Sequence, residues 1–243
     1  MDGVLGRLVR AVADLCYPPW CALCGTCLGD TERYVCGGCL ARLPLIRPPF
    51  CPVCSRPVHT RHGAAHVCGA CRLRPHGAVS RVCAAGVYDA GLKRLIHLFK
   101  YRRHQFLADQ LAALLAAQAA SAAALEGVDW LAPIPLHWTR ERWRGFNQAR
   151  ALAERVGRAL GVAVLPARSL GRVRRTTPQV GLDAHGRREN IRGAFAAREP
   201  VLVRGLCVTL VDDVLTTGAT AEECGRVLVR AGARDVRLLV LAR

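Results

Sequence analysis

The chain has 243 residues, 51% of them hydrophobic, which is enough apolar material for one ordinary α/β domain with a small module appended. Its 35 basic residues outnumber 18 acidic ones, and the net charge of +17 implies an anionic partner, either a polyphosphate substrate or nucleic acid. Global disorder is excluded, a 5% aromatic content argues against a stacking platform for single strands, and the longest apolar run (Leu111 to Leu125, broken by Gln118 and Ser121) is too short for a transmembrane segment.

At the N-terminus Val4, Leu5, Leu8, Val9 and Val12 alternate with Arg7, Arg10 and Asp14, a short amphipathic helix lacking the apolar core of a signal peptide. Without a secretion signal, 13 cysteines read as metal ligands in the reducing cytoplasm rather than as disulfides. Four CxxC pairs stand in succession: Cys21/Cys24, Cys36/Cys39, Cys51/Cys54 and Cys68/Cys71. Each pair can sit on one tight turn and present two thiolates to a tetrahedral ion, so the set matches two structural Cys₄ zinc sites. Sequential and crossed pairings share this spacing, Cys27 can displace Cys24, and His59, His62 or His66 can substitute as a ligand. Few large apolar side chains occur here, so zinc supplies the core that burial does not. Filling both sites lowers the net charge to about +13. Cys16, Cys83, Cys207 and Cys224 lie in apolar surroundings and read as small core residues. The expected division is residues 1–75 for the N-terminal helix and double zinc ribbon, and 76–243 for the main domain.

Beyond the cysteines, Val82–Tyr88 reads as a strand, and Ala90–Tyr101 sets Leu92, Leu95, Ile96 and Phe99 at helical spacing. Phe106–Leu125 is a second helix. Trp130–Leu136, Asn147–Leu160 and Val162–Leu165 read as strand, helix and short strand, and Val208–Val211, Thr220–Ala231 and Val236–Leu241 repeat that order. Such alternation predicts an α/β fold, a mainly parallel sheet flanked by helices with ligand at the carboxyl ends of its strands. Between the second strand and the next helix, Pro135, Arg140, Arg142, Arg144, Gly145, Asn147 and Gln148 form a basic approach to a helix N-terminus, where a pyrophosphate can be held. Arg168–Arg198 carries eight Arg against two acidic residues and reads as a long mobile loop, a candidate lid whose contacts are Arg174, Arg175, Thr176, Gln179, Arg187 and Asn190. His97, His104, His137 and His185 are isolated, and no catalytic histidine is assigned.

The most informative stretch runs from Cys207 to Thr220. An apolar strand ends in Asp212 and Asp213, followed by Thr216, Thr217, Gly218, Ala219 and Thr220 at the start of a helix. Thr220-Ala-Glu-Glu223 reads as a capping box that sets the helix start. Gly218 lets successive N–H groups turn inward around an anion, and two carboxylates beside them suit ribose hydroxyls or Mg²⁺. Together they describe a phosphosugar site. No Gly-Lys-Ser/Thr or GxGxxG occurs, which excludes the commoner phosphate loops.

This motif closely resembles the 5-phosphoribosyl-1-pyrophosphate (PRPP) signature of type I phosphoribosyltransferases. Taken with the cysteine pairs, Leu98-Phe99-Lys100-Tyr101, Pro133-Ile-Pro-Leu136, Arg144-Gly-Phe-Asn-Gln148, Arg175-Thr176 with Gln179, and Arg187-x-x-Asn190 with Phe195, it makes nearly the whole chain resemble the ComF family. These are phosphoribosyltransferase-like proteins linked to bacterial competence. The resemblance implies a type I phosphoribosyltransferase fold behind a zinc ribbon, with PRPP and Mg²⁺ as ligands. Asp212, Asp213, Lys100 and Arg144 would be catalytic, Thr216 to Thr220 would hold the 5′-phosphate, and the Pro135–Gln148 loop would hold pyrophosphate. The expected function is PRPP binding with phosphoribosyl transfer to an unknown acceptor, linked to DNA uptake and natural transformation. The competing reading is a non-catalytic competence protein of the same fold that binds single-stranded DNA or DNA-uptake proteins.

Overall fold

In a computed structural model, residues 20–29, 34–58, 63–73, 77–101, 105–174 and 183–243 are described; the expected N-terminal helix and Cys16 lie outside them. Among the described residues, the N-terminal module holds the short helices α1 (Gly37–Ala41) and α2 (Gly69–Arg72). The main domain runs β1 (Arg81–Gly86), α3 (Ala90–Phe99), α4 (Leu107–Ser121), β2 (Trp130–Pro133), α5 (Trp138–Arg144), α6 (Gln148–Leu160) and β3 (Ala163–Val164). Then come β4 (Leu170–Arg172), α7 (Ala184–Ile191), β5 (Phe195–Ala197), β6 (Cys207–Val214), α8 (Ala219–Arg230) and β7 (Asp235–Ala242).

Five strands form one parallel sheet in the order β1-β7-β6-β2-β3. Parallel strands covered on both faces need near-continuous apolar runs, and β6 and β7 have them. On one face Leu92, Leu95, Ile96 and Phe99 of α3 pack with Leu111 and Leu115 of α4 and Leu152 and Val156 of α6, so the helical spacing read in α3 corresponds to its buried stripe. On the other face Leu210 and Leu238 meet Cys224 and Leu228 of α8, with Leu170, Ile191 and Phe195 beyond them. Cys83, Cys207 and Cys224 are buried core residues, as expected.

Strand order decides where a ligand can enter. From β2 the chain continues outward to β3, whereas from β6 it continues the opposite way to β7, although β2 and β6 are neighbours. Loops leaving their carboxyl ends therefore diverge and open a crevice.

The Arg168–Arg198 segment is not the irregular loop read from sequence. Its ends form a two-stranded antiparallel sheet, β4 with β5, and α7 lies between them, with Leu170, Ile191, Ala194 and Phe195 buried. Each strand has three residues, too few to give a periodic signal. Residues 175–182, with Arg175, Thr176 and Gln179, lie outside the described residues, as does the side chain of Arg187.

The zinc module seals one edge of the sheet. Val82 N–H donates to Val53 O (2.8 Å), Ile46 N–H to Ala85 O (2.9 Å) and Val87 N–H to Pro44 O (2.9 Å). The Ser55 hydroxyl donates to Val82 O (2.8 Å) and accepts from Ala84 N–H (3.2 Å). An otherwise open β1 edge is thus satisfied from within the chain.

Candidate functional site

Two groups of four cysteines each bring their sulfurs within 4.8 Å of one another: Cys21, Cys24, Cys36 and Cys39, then Cys51, Cys54, Cys68 and Cys71. The pairing is therefore sequential, and neither Cys27 nor His66 joins a cluster; His59 and His62 are outside the described residues. Tetrahedral zinc with bonds of about 2.3 Å needs sulfurs about 3.8 Å apart. Cys24 and Cys36 stand at 3.7 Å, as do Cys54 and Cys68. Backbone N–H groups of Leu23 and Cys36 point at Cys21 Sγ, and that of Cys68 at Cys51 Sγ, each at 3.4 Å. The Thr26 hydroxyl lies 3.2 Å from Cys24 Sγ and, with the Thr26 backbone N–H, can donate to the thiolate; this holds Cys24 down to about 6, so part of the donor set is ready to ionise. The donors and their spacing fit structural zinc.

At the switch point between β2 and β6 lies a cavity of about 680 Å³. Its floor is the end of β6, which runs further than the apolar pattern suggests and includes both carboxylates. Successive strand residues face opposite sides. Asp213 shares the side of Val211 and meets Lys100, whose Nζ stands 3.1 Å from Asp213 Oδ2. Asp212 shares the side of Val208 and Leu210, toward α8. Asp212 is half-buried at the cavity wall; its loss of water, and then the Asp213 charge, push its pKa well above the ordinary value. One N–H partially offsets this: Asp213 N donates to Asp212 Oδ1 at 2.8 Å.

The loop after β6 lines the same cavity through Thr216, Thr217, Gly218, Ala219 and Thr220. Gly218 has φ +81°, a left-handed conformation that a Cβ would strain, and it is the residue that starts α8. The cap position is held by Gly218 and not by Thr220, as the expected capping box would require; Thr217 Oγ1 accepts from Ala219 N–H at 3.4 Å at the helix start. Glu223 is spent elsewhere, accepting from Gly193 N–H (2.8 Å) and from Arg226 (2.8 Å).

From β2 come Pro135, Arg140, Arg144, Asn147 and Gln148, all lining the cavity. The sequence missed α5, a short helix that carries the arginines and ends at Gly145, whose φ of +81° turns the chain into α6. Gly145 shapes this turn and does not line the cavity. Asn147 caps α6, accepting from Arg150 N–H at 3.3 Å and donating to Ile134 O at 3.2 Å. Gln148 is 2% exposed and joins two candidates: Arg144 Nη1 donates to its Oε1 (3.1 Å), and its Nε2 donates to Lys100 O (3.2 Å). Arg144 Nε is buried and makes no hydrogen bond among the described residues. Two helix N-termini, those of α6 and α8, thus open on one basic cavity, an arrangement suited to a ligand with two phosphate ends.

Of the charged and aromatic lining residues, two were not anticipated. Arg172 enters from β4, and Trp143 from α5. Neither belongs to a motif, and only the tertiary fold brings them here. Asn190 lies away from the cavity lining, its carbonyl accepting from Arg174 Nη2 at 3.0 Å. His137 stands beside the site with Nδ1 2.8 Å from Thr139 Oγ1.

Residues 12–72 match the model of the double zinc ribbon domain. DNA utilization protein YhgH of Salmonella typhimurium is 35% identical over 236 residues, covering 94% of this chain and 99% of that protein. Competence protein F of Haemophilus influenzae is 31% identical over 92% of this chain and 96% of its own length, and competence protein ComFC of Bacillus subtilis is 26% identical over 83% and 80%. Among solved structures, the glutamine PRPP amidotransferase of B. subtilis is matched at 19% identity and a TM-score of 0.38, over 55% of this chain and only 25% of the enzyme. With YhgH and competence protein F aligned almost end to end at these identities, the chain belongs to the ComF family of DNA utilization and competence proteins.

Proposed function

We propose that the cavity binds PRPP with Mg²⁺ and that the chain transfers its phosphoribosyl group to an acceptor, releasing pyrophosphate. One observation carries this reading: an acidic strand end, a Thr/Gly loop and a second, arginine-flanked helix N-terminus converge on one crevice. Thr216 to Thr220 would receive the 5′-phosphate, and Asp212 and Asp213 the ribose hydroxyls. Arg140 and Arg144 would hold the diphosphate, and Arg144 Nε has a donor to give. In the reaction the bond from the anomeric carbon to the diphosphate oxygen breaks with its electron pair on the leaving group, and the acceptor's lone pair forms the new bond. Mg²⁺, held by the aspartates and the diphosphate, would supply charge neutralisation as pyrophosphate leaves. Lys100 pairs with Asp213 and would also reach the diphosphate. The segment carrying Arg175, Thr176, Gln179, Arg187 and Asn190 would close as a lid to exclude water.

In the same proposal residues 1–75 are a structural zinc module, 76–243 hold the PRPP site, and the protein works in the cytoplasm. Calorimetry with PRPP and Mg²⁺, beside a pyrophosphate-release assay against nucleobases and amines, tests it. Binding lost in Asp213→Asn supports the reading; unchanged binding overturns the assignment.

A second reading is favoured by a separate observation. Trp138, Trp143 and Tyr101 are exposed aromatics near Arg140 and Arg142, with the Tyr101 and Trp143 rings 6.0 Å apart. Although scarce overall, aromatic rings gather here, and bases of single-stranded DNA can stack on such a surface. Names of relatives that refer to DNA utilization and competence agree with it. Salt-dependent binding of single-stranded DNA that persists in Asp212→Asn, without pyrophosphate release, would favour this reading over catalysis.

A further inference from the structure

We propose that the first ribbon is an oxidation site as well as a zinc site: Cys27, which stands outside the cluster, forms a disulfide with its neighbour Cys24 and so unloads the metal from that ribbon alone. The proposal rests on the reading of each cysteine cluster as a zinc site and is independent of what the cavity binds.

It comes from matching the two ribbons position by position. In the first, Cys21 N–H donates to Thr26 O (2.8 Å) and Gly25 N–H to Cys21 O (2.9 Å). In the second, Cys51 N–H donates to Arg56 O (2.8 Å) and Ser55 N–H to Cys51 O (2.9 Å). Antiparallel bridges close both turns in the same register, Trp20 with Cys27 and Phe50 with Pro57. Gly25 and Ser55 both take left-handed backbone, with φ of +73° and +57°. Cys21 thus corresponds to Cys51, Cys24 to Cys54, and Cys27 falls where the second ribbon has Pro57.

The surroundings differ in the same sense. Residues 24–27 are exposed throughout, both thiols included. Cys54 is half-buried beside Val53 and Val67, and Ser55 is buried under β1 through its bonds to Val82 and Ala84. Between Cys51 and Cys71 the sequence has no fifth cysteine. One ribbon is therefore open and carries a spare thiol, and the other is covered and carries none.

Two thiols at CxxC spacing are the arrangement of redox-active pairs. The contact of Cys27 Sγ with Leu28 O is long, at 3.9 Å, and costs little to give up. With a peroxide as oxidant, Cys24 sulfur attacks one peroxide oxygen, the O–O bond breaks, and hydroxide leaves a sulfenic acid behind. Cys27 sulfur then attacks the sulfenic sulfur; the S–S bond forms, the S–O bond breaks, and the thiol proton departs with that oxygen as water. Both sulfurs are oxidised by one electron each and the peroxide is reduced. Cys21, Cys36 and Cys39 remain, one donor short of a closed site. Leu28, the next residue after Cys27, is buried in the cluster that holds Leu92 and Leu95, so loss of metal there would loosen the packing of α3.

The test treats the zinc-loaded full chain with hydrogen peroxide, follows metal release with a colorimetric chelator, and maps thiols by differential alkylation and mass spectrometry. The expected result is that one of the two ions leaves first, together with a Cys24–Cys27 disulfide, and that a dithiol reductant with added zinc restores it. Hydrogen exchange in α3 should accelerate on oxidation. Cys27→Ser should load both ions, form no such link, and lose the first ion irreversibly as Cys24 passes on to sulfinic acid. Retention of both ions under peroxide, release from the second ribbon first, or a wild-type disulfide that leaves Cys27 reduced overturns the proposal; this mapping needs no variant. Recovery of Cys27→Ser as complete as that of the wild type also overturns it. A chain that loads zinc only at the second cluster overturns the first zinc site and the proposal together.

Discussion

Replacing Asp212 with asparagine should make the ligand-free protein more stable while destroying its site. Asparagine keeps the shape and the oxygen that accepts Asp213 N–H at 2.8 Å, and removes only the charge. Two features make that charge costly: the loss of water at a half-buried position, and the adjacent Asp213 carboxylate. Neutralising a poorly compensated, half-buried charge gains about 1–2 kcal/mol. For a chain of this size that corresponds to a rise in Tm of about 2–8 °C. Because the folded chain raises the pKa of Asp212, it binds more protons than the unfolded chain between the ordinary carboxylate range and the raised value. Wild-type stability therefore falls as pH rises through that window, and the advantage of Asp212→Asn should widen over the same interval and then level off. Thermal unfolding of both proteins across a pH series, without ligand, measures this, and calorimetry should show loss of PRPP binding in the variant. Asp213→Asn is the contrast: it strands Lys100, whose pairing with Asp213 is partly exposed, and should leave Tm unchanged or slightly lower. A fall in Tm for Asp212→Asn, or a gap that narrows as pH rises, would refute the reasoning.

Other outcomes follow from buried hydrogen bonds and the cysteine clusters. Gln148→Ala should cost about 1–3 kcal/mol in urea unfolding, since it leaves Arg144 and the Lys100 carbonyl without their shared partner. Ser55→Ala should cost about the same and accelerate hydrogen exchange at the Ala84 amide, which donates to Ser55 Oγ. Metal analysis after complete denaturation should find two zinc ions per chain, and a strong chelator should lower the thermal midpoint.

How far the sequence could be read depended on whether a signal was local. The buried stripe of α3 and the carboxylates at the end of β6 repeat or cluster within a few residues, so each was visible. The CxxC pairs showed ligands but not connectivity, because spacing along the chain does not say which turns meet. The start of α8 was misjudged by one residue because Gly218, in a left-handed conformation, takes the cap position, and Glu223 serves Gly193 and Arg226. The hairpin of β4 and β5 left no periodic trace, as its strands are three residues long and lie far apart in sequence. Missing that hairpin meant missing Arg172, which enters the cavity only because β5 holds β4 in register.

The zinc module and the cavity are mechanically one structure. Cys21, Leu28, Val35 and Leu43 of the first ribbon share a hydrophobic cluster with α3 and α4, and Tyr34 stacks on Phe106 with ring centroids 3.9 Å apart. Arg94 of α3 donates to Leu23 O at 3.1 Å, and Gln110 of α4 donates to Val35 O at 3.4 Å. The last turn of α3 runs directly into Lys100, which meets Asp213 in the cavity. The second ribbon reaches the site by another route: Val53 and Ser55 bind β1, β1 pairs with β7, and β7 pairs with the strand that bears both aspartates. Each ribbon alone has too few large apolar residues for a core, so metal sets the shape of the surface against which α3 and β1 are packed. Zinc bound there would support the cavity from a distance, by fixing the helix that ends at Lys100 and the edge of the sheet whose strands include Asp212 and Asp213.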